Sequence, residues 1–543
     1  MSAAAPSASS SVPQPPAPAP AATPAAATAA LPPLTGAALA VAAVALSTAT
    51  FMNVLDTTIA NVSLPAIAGD LGVSPTQGTW VITSFAVANA IAVPLTGWMT
   101  QRLGQLRLFL YSVLAFVCAS LACGLAPTLE SLIFFRVVQG FVAGPMIPLS
   151  QALLLSCFPK EKAPMALGVW SMTTLVAPVA GPLLGGWLTD NASWPWIFWI
   201  NVPVGIVAAV LTARVLKGRE TPTRKLPIDG VGLGLLVLWV ASLQLMLDKG
   251  KELDWFSSPL ILGLAITAAV GFVFFLVWEL TEKHPIVDLS LFRSRNFTTG
   301  VLAIALAYGV FFGNVVLMPL WLQQYMGYTA TWAGIVTAPT GVLAVLLTPL
   351  VARLMPRTDP RLLASFAFVV FAVVAFMRSG FTTGADAVTL AMPQLVMGAA
   401  MSTFFVPLTA MLLSGLPPER IPAASGLSNF ARITAGAIGA SVYTTQWEDR
   451  AALHHAQLVE HLTPYSLTTT QTLNTYAQQF GLDPQQALGA LDRQVTQQSV
   501  LLAADDLFWL SGMIFLVLIG VVWLARPKKQ GGAAGGAAAA GAH

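Results

Sequence analysis

Residues 296–352 read NFTTGVLAIALAYGVFFGNVVLMPLWLQQYMGYTATWAGIVTAPTGVLAVLLTPLVA, and none of these 57 residues carries a charged side chain. A helix that crosses a bilayer needs about 20 mostly apolar residues. The stretch is therefore long enough for two such helices, with a break near Gly327 and Tyr328. Only 9% of the 543 residues are charged and 56% are hydrophobic, whereas soluble domains are about 25% charged. This composition excludes a soluble enzyme, a nucleic-acid-binding protein and a disulfide-rich secreted domain.

Uncharged windows of helix length recur along the rest of the chain. Counted with residues 36–55 and with residues 424–447, which one arginine interrupts, they predict fourteen transmembrane helices. With both termini placed in the cytoplasm, 19 of the 26 Lys and Arg residues fall on the cytoplasmic side and 5 on the outer side. This asymmetry satisfies the positive-inside rule. The remaining windows are 71–101, 108–129, 137–159, 163–189, 191–213, 230–247, 255–278, 362–377, 387–418 and 507–525.

An internal repeat divides the helices into two sets. The segment from Pro148 to Leu155 matches the segment from Pro407 to Ser414 at an offset of 259, and Asn53 matches Asn314 at an offset of 261. The sequence thus predicts an all-α membrane protein with two homologous six-helix halves and two helices inserted between them. Two halves with a substrate site between them form an alternating-access architecture.

The predicted organisation follows from these windows. Residues 1–34 and 527–543 are low in complexity and are expected to be disordered cytoplasmic tails. The first six-helix bundle covers 35–216, the inserted helices cover 229–280 and the second bundle covers 297–526. The second bundle includes a long outer loop, 447–505. We expect this loop to be either a solvated segment with one surface helix or a docking element for an extracytoplasmic partner.

Three motifs carry a family resemblance. The segment from Leu55 to Pro65, LDTTIANVSLP, resembles the first-helix motif of the fourteen-helix drug/proton antiporters in the major facilitator superfamily. RVVQG, from Arg136 to Gly140, resembles the fourth-helix motif, and APVAGPLLGG, from Ala177 to Gly186, resembles the fifth-helix antiporter motif. From about residue 35 onward the chain is similar to the EmrB-type multidrug export subunits.

The resemblance implies a function and partners. It implies a secondary transporter that exports hydrophobic toxic compounds or drugs from the cytoplasm or inner leaflet in exchange for protons. The transporter would lie in a Gram-negative inner membrane and work with an EmrA-type periplasmic adaptor and a TolC-type outer-membrane channel. Its expected partners are the substrates, protons and the lipid bilayer. We expect no enzyme activity, cofactor, metal or nucleic acid. The alternative is an uncoupled facilitator or a membrane sensor with the same fold.

One cytoplasmic loop matches the superfamily pattern only in part. Gly97, Arg102, Gly104 and Arg107 fit that pattern. Gln101 stands where most members carry an aspartate. We therefore do not expect an acid-based gating contact in this loop.

Asp56 and Arg136 are the candidate residues for proton coupling. An ionised side chain at mid-membrane costs several kcal/mol, so it should face a cavity or a partner. Desolvation disfavours the carboxylate, whereas a nearby arginine favours it. Asp56 therefore either binds and releases a transported proton or forms a permanent ion pair with Arg136 that only joins two helices.

The remaining candidates concern gating and substrate. Small residues and prolines of the fifth helix indicate either a bendable gate or tight helix packing: Gly168, Pro178, Gly181, Pro182, Gly185 and Gly186. Arg432 either holds a counter-charge or an anionic substrate group, or extends to the cytoplasmic interface. With Arg432, the tentative residues of the substrate cavity are Asn53, Gln139, Met146, Trp170, Met172, Phe312 and Asn314.

Overall fold

The computed structural model describes residues 32–224, 227–463 and 465–526, and every regular element in these ranges is helical. The predicted tails lie outside the described residues, except for residues 32–34. The long helices are numbered in chain order: α1 (Gly36–Asp70), α2 (Trp80–Leu103), α3 (Gln105–Gly124), α4 (Leu129–Ala143 with Met146–Cys157), α5 (Ala163–Asn191), α6 (Trp196–Trp199 with Asn201–Val215), α7 (Gly230–Lys249), α8 (Pro259–Thr281), α9 (Arg295–Gln324), α10 (Ala330–Thr337 with Pro339–Leu354), α11 (Pro360–Arg378), α12 (Ala387–Leu413), α13 (Ile421–Glu460) and α14 (Pro484–Trp523). Two short helices are Pro75–Gly78 and Leu467–Phe480.

Twelve of these helices are long and apolar enough to cross a membrane, within the ranges that the structure describes. The other two, α5 and α13, occupy the positions of the fifth and thirteenth predicted spans. The all-helical fold is thus confirmed, while the count of fourteen spans stays a prediction. The break expected near Gly327 and Tyr328 is present, because α9 ends at Gln324 and α10 begins at Ala330.

The two six-helix sets pack in the same way. In the first set α1 lies against α5 and α6, α4 lies against α2 and α3, and α3 lies against α6. The same neighbours recur eight helices later, among α9–α14. Each set has its own apolar core: Phe109, Phe116 and Met146 are buried in the first, and Phe368 and Phe508 in the second. The pseudo-symmetric pair of bundles inferred from the repeat is confirmed, and the exact domain boundaries stay a prediction.

The two bundles meet along α2 with α13 and along α5 with α10. A Cβ atom added at Gly97 of α2 would lie 2.6 Å from the Cβ of Ala423 in α13. One added at Gly168 of α5 would lie 3.2 Å from Thr348 Cγ2 and 3.5 Å from Ala352 Cβ in α10. All these residues lie at helix ends that the sequence assigns to the cytoplasm. The structure is therefore closed at the predicted cytoplasmic end.

The inserted helices α7 and α8 form a hairpin outside this interface. Their outer ends contact both bundles. Lys249 Nζ donates to Thr79 Oγ1 at 2.9 Å beside the first bundle. On the second bundle, Trp255 Nε1 donates to Thr445 Oγ1 at 3.1 Å and Lys251 pairs with Glu448 at 2.7 Å. The hairpin thus joins α2 to α13 at the predicted outer end.

The predicted loop 447–505 is mostly helical, and we call it the outer projection. α13 and α14 contain 40 residues each, so each is about 60 Å long. That is about twice the thickness of a bilayer's hydrocarbon core. The two extensions are held together by Asp506, which pairs with Arg450 at 2.8 Å and His454 at 3.0 Å, and by Trp447 Nε1, which donates to the Val500 carbonyl at 2.9 Å. The projection is an ordered helical element rather than a loop with one surface helix.

Candidate functional site

Asp56 lies in the middle of α1 and is completely buried. Its Oδ2 accepts from Arg136 Nη1 at 2.5 Å. Its Oδ1 accepts from Gln139 Nε2 at 3.1 Å and from Asn201 Nδ2 at 3.0 Å. Three donors from α4 and α6 therefore surround a single carboxylate.

Arg136 has partners besides Asp56. Its Nε donates to the Val81 carbonyl at 3.0 Å, and its Nη1 also donates to Gln139 Oε1 at 2.8 Å. Its guanidinium lies 4.2 Å from the centre of the Phe85 ring, in cation–π geometry. The side chain is 1% exposed. A second ring, that of Phe198, lies 5.5 Å away, so Arg136 has two hydrogen bonds and two aromatic contacts besides Asp56.

The arrangement has a chemical consequence. The hydrogen bonds and the ion pair with Arg136 offset the cost of burying the two side chains. The side chains of Asp56 and Arg136 are both enclosed by protein here. The two sequence interpretations, proton binding and a permanent lock, both predict a direct contact, and the structure contains that contact.

Two glycines of α5 allow a close approach to α1 beside Asp56. A Cβ atom at Gly185 would lie 2.9 Å from the Ile59 carbonyl oxygen, and one at Gly181 would overlap the hydroxyl of Thr58. Gly168 instead faces α10 in the other bundle. The α5 backbone is helical through Pro178, Pro182 and Gly186. Tight packing is thus observed at Gly181 and Gly185, and the gating role of α5 stays a prediction.

The motif of the predicted cytoplasmic loop, between α2 and α3, is completed by an acid from elsewhere in the chain. Glu220 Oε2 accepts from the Arg107 amide at 2.8 Å, and its Oε1 accepts from the Leu106 amide at 3.0 Å. This carboxylate therefore caps the N-terminus of α3, where a negative charge is favourable. Gly104, with a φ of +89°, leaves room for it, because a Cβ atom there would overlap the carboxylate. Arg102 lies over the Trp98 ring at 5.3 Å.

The tentative cavity residues occupy different environments. Met146 and Trp170 are buried in the core of the first bundle. Asn53 is buried too, and its Nδ2 donates to the Ala143 carbonyl at 3.0 Å. Met172 and Phe312 are partly exposed. Lining of a substrate cavity by these five residues stays a prediction.

Arg432 and Phe312 share an aromatic cluster in the second bundle. Arg432 lies 4.7 Å from the Tyr308 ring centre, and Tyr308 stacks on Phe312 at 5.7 Å. Arg432 Nη2 donates to Asn429 Oδ1 at 3.1 Å, and the side chain is 8% exposed. Within the described ranges no carboxylate lies within salt-bridge distance of it. The cation is therefore buried on an aromatic surface here, and its role in holding an anion stays a prediction.

Sequence reasoning missed Asn201. This residue donates to Asp56 and also to Ser120 Oγ at 3.1 Å, which links α1, α3 and α6. The available signal was an isolated amide within the apolar window 191–213. Sequence reasoning also did not single out Arg378, which is the last residue of α11 and is only 3% exposed.

Comparisons with known proteins agree with this architecture. The model of the Major Facilitator Superfamily matches residues 46–440. The chain is 53% identical over 507 residues to the "Multidrug export protein EmrB" of Escherichia coli (strain K12), covering 93% of this chain and 99% of that protein. It is 49% identical over 504 residues to the "Fatty acid resistance protein FarB" of Neisseria gonorrhoeae, covering 93% and 99%.

Solved structures support the fold alone. The human organic anion transporter MFSD10 has a TM-score of 0.56 at 14% identity and covers 89% of this chain and 99% of its own. The proton:xylose symporter XylE has a TM-score of 0.56 at 12% identity, covering 89% and 95%.

Proposed function

The chain belongs to the Major Facilitator Superfamily, and on that premise we propose that it exports hydrophobic toxic compounds in exchange for protons. Its relatives named for multidrug export and fatty acid resistance indicate the class of substrate. In this proposal the protein is a secondary active transporter of the Gram-negative inner membrane with both termini in the cytoplasm. Proton entry would supply about 2.3 kcal/mol per 100 mV of membrane potential.

The observation that carries the proposal is the buried group around Asp56. In a membrane interior an ionisable residue is costly and marks a functional site. Asp56 is the one carboxylate among the described residues that is fully enclosed and paired with an arginine inside a bundle. Protonation would neutralise Asp56 and release its ionic hold on Arg136, which has other partners. This release would loosen α1 against α4 and α6, and it would couple proton binding to helix movement.

The proposal is tested by substrate-dependent proton flux in proteoliposomes. An imposed pH gradient should dissipate when a fluorescent hydrophobic dye is added to the wild type. Asp56→Asn should still bind the dye but should not move protons. Asp70→Asn is the matched control, because Asp70 lies on the same helix, is exposed and accepts from Trp194 Nε1. Coupling by Asp56→Asn equal to the wild type would mean that Asp56 is purely structural and that another group carries the proton. Absence of proton flux in the wild type would favour the uncoupled alternative.

We further propose that the outer projection docks the periplasmic adaptor of a tripartite pump with a TolC-type channel. The projection extends beyond the bilayer thickness and exposes large apolar side chains, including Leu453, Leu467, Phe480 and Leu488. Exposed apolar surface of this kind marks interaction sites.

The docking proposal is tested by binding of the purified EmrA-type adaptor to the full chain in nanodiscs. Leu467→Glu combined with Phe480→Glu should weaken binding at least tenfold without changing dye binding. The control is Thr470→Glu, which places the same charge on the same short helix, Leu467–Phe480. Unchanged affinity of the double variant would locate the adaptor elsewhere.

A further inference from the structure

Two charged side chains on the neighbouring helices α11 and α14 each keep a buried polar atom without a partner. Both atoms are buried: Nε of Arg378 donates no hydrogen bond, and Oδ1 of Asp505 accepts none. Nearly all buried polar groups in proteins are paired, so each exception calls for an explanation. One such atom belongs to a cation and the other to a carboxyl group.

Arg378 is held only by neutral groups. Its Nη2 donates to Gln394 Oε1 at 2.7 Å and to Met397 Sδ at 3.2 Å, both on α12. Its guanidinium lies 5.8 Å from the centre of the Phe508 ring on α14. The side chain is 3% exposed. A buried cation without an opposite charge is costly, which favours any conformation that supplies one.

The helix register places Asp505 on the turn of α14 beyond the ring that Arg378 contacts. Phe371 of α11 stacks on Phe515 of α14 at 4.9 Å. Arg378 lies seven residues after Phe371 on α11. It contacts Phe508, which lies seven residues before Phe515 on α14. The helices are therefore antiparallel here. Asp505 lies three residues beyond Phe508, or about 4.5 Å further along the axis, and so one helical turn from the side chain that Arg378 already contacts.

Other charges around Asp505 already have partners. On its own helix, Asp506 pairs with Arg450 and His454 from α13. From α13, the hydroxyl of Tyr443 forms a hydrogen bond with Ser511, which lies six residues further along α14. Asp506 engages the two α13 cations, Arg450 and His454, so the proposal takes Arg378 as the partner of Asp505. Asp505 is also partly exposed, so water can deliver a proton to it while Asp56 is enclosed.

We propose that Asp505 is a second proton-binding carboxyl group and that Arg378 is its counter-charge. With a proton on Asp505, Arg378 rests on Gln394, as observed here. When the proton returns to water, the carboxylate draws the guanidinium across one turn and the two groups form an ion pair between α11 and α14. The role of this pair in transport rests on the proposed antiport, whereas the pairing and the titration do not.

The first test needs no transport. Infrared titration of the full chain in nanodiscs should record the carbonyl band of a protonated carboxyl group that is lost in Asp505→Asn. The band should persist in Asp56→Asn and in Asp506→Asn, the adjacent control. An identical titration in Asp505→Asn and the wild type would overturn the proposal, even if antiport is real.

The second test concerns the pair. In proteoliposomes loaded with a fluorescent hydrophobic dye, Asp505→Asn should lower the protons moved per dye exported, and Arg378→Asp should reduce transport at least tenfold. The exchange Arg378→Asp with Asp505→Arg should recover much of that loss, because it restores opposite charges. Arg378→Lys keeps the positive charge. Comparison of its transport with that of Arg378→Asp shows whether the loss comes from the charge or from a folding defect. No recovery in a double variant that folds would overturn the pairing. Absence of any proton flux in the wild type would contradict antiport, and the infrared result would still decide whether Asp505 titrates.

Discussion

At the scale of single residues, Arg136 and Asp56 are expected to depend on each other for stability. Arg136→Gln leaves a buried carboxylate without its cation, and removal of one partner of a buried ion pair costs about 3–5 kcal/mol. Asp56→Asn with Arg136→Gln leaves two neutral groups that can still form hydrogen bonds. We therefore expect the double variant to be more stable than Arg136→Gln alone, as measured by thermal unfolding in detergent. Equal destabilisation of both variants would mean that the ionic contact contributes little.

At the same scale, Asn201 is expected to stabilise the Asp56 site. Asn201→Ala removes a donor from a buried carboxylate and from Ser120, which should cost about 1–3 kcal/mol. The control is Asn191→Ala, because Asn191 is exposed and donates only to the Trp187 carbonyl of its own helix. A change in the free energy of unfolding that is the same for both variants would contradict the assigned role of Asn201.

At the scale of helices, Gly185 allows α5 to approach α1. Gly185→Ala places a methyl group 2.9 Å from a backbone carbonyl that cannot turn away, and overpacking of this kind costs about 1–3 kcal/mol. Gly520→Ala is the matched control, because no atom lies within 4 Å of the added Cβ and alanine favours a helix over glycine by up to about 1 kcal/mol. Thermal unfolding of the two variants should shift in opposite directions.

Glu220 belongs to the same scale, because it acts on the first turn of α3. Glu220→Ala leaves the amides of Leu106 and Arg107 without their acceptor, and loss of a helix cap typically costs about 1 kcal/mol. Hydrogen exchange of the first α3 turn should accelerate about fivefold relative to the middle of that helix. Glu161→Ala, on an exposed turn between α4 and α5, should leave this exchange unchanged.

At the scale of the whole molecule, contact at the predicted cytoplasmic end should be a state that the transporter leaves. The added Cβ of Gly168 lies 3.5 Å from Ala352 Cβ, which is within the range for a disulfide. In a chain without Cys118, Cys123 and Cys157, Gly168→Cys with Ala352→Cys should cross-link on oxidation and stop transport. Reduction should restore transport. Transport that continues after complete cross-linking would mean that α5 and α10 need not separate.

The same scale shows what the sequence could predict. Uncharged windows and the repeat predicted the paired bundles, because the bilayer constrains the length and polarity of each span. The contact of Asp56 with Arg136 was predictable, since both are costly alone. Asn201 and Glu220 were not singled out, because a neutral amide or an acid outside the spans carries no such cost. Only the packing of distant segments brings each to its partner. The burial of Arg378 was not foreseen, because a charge at the end of an apolar window resembles a residue of the following loop.

The length of α13 and α14 has a mechanical consequence. Their outer parts are continuous with helices of the second bundle, so they must turn with it. A rotation of about 10° around the bilayer centre displaces a point about 35 Å away by about 6 Å. The outer projection would then act as a lever arm, so that a small rotation of the second bundle within the membrane produces a larger displacement at the tip of the projection.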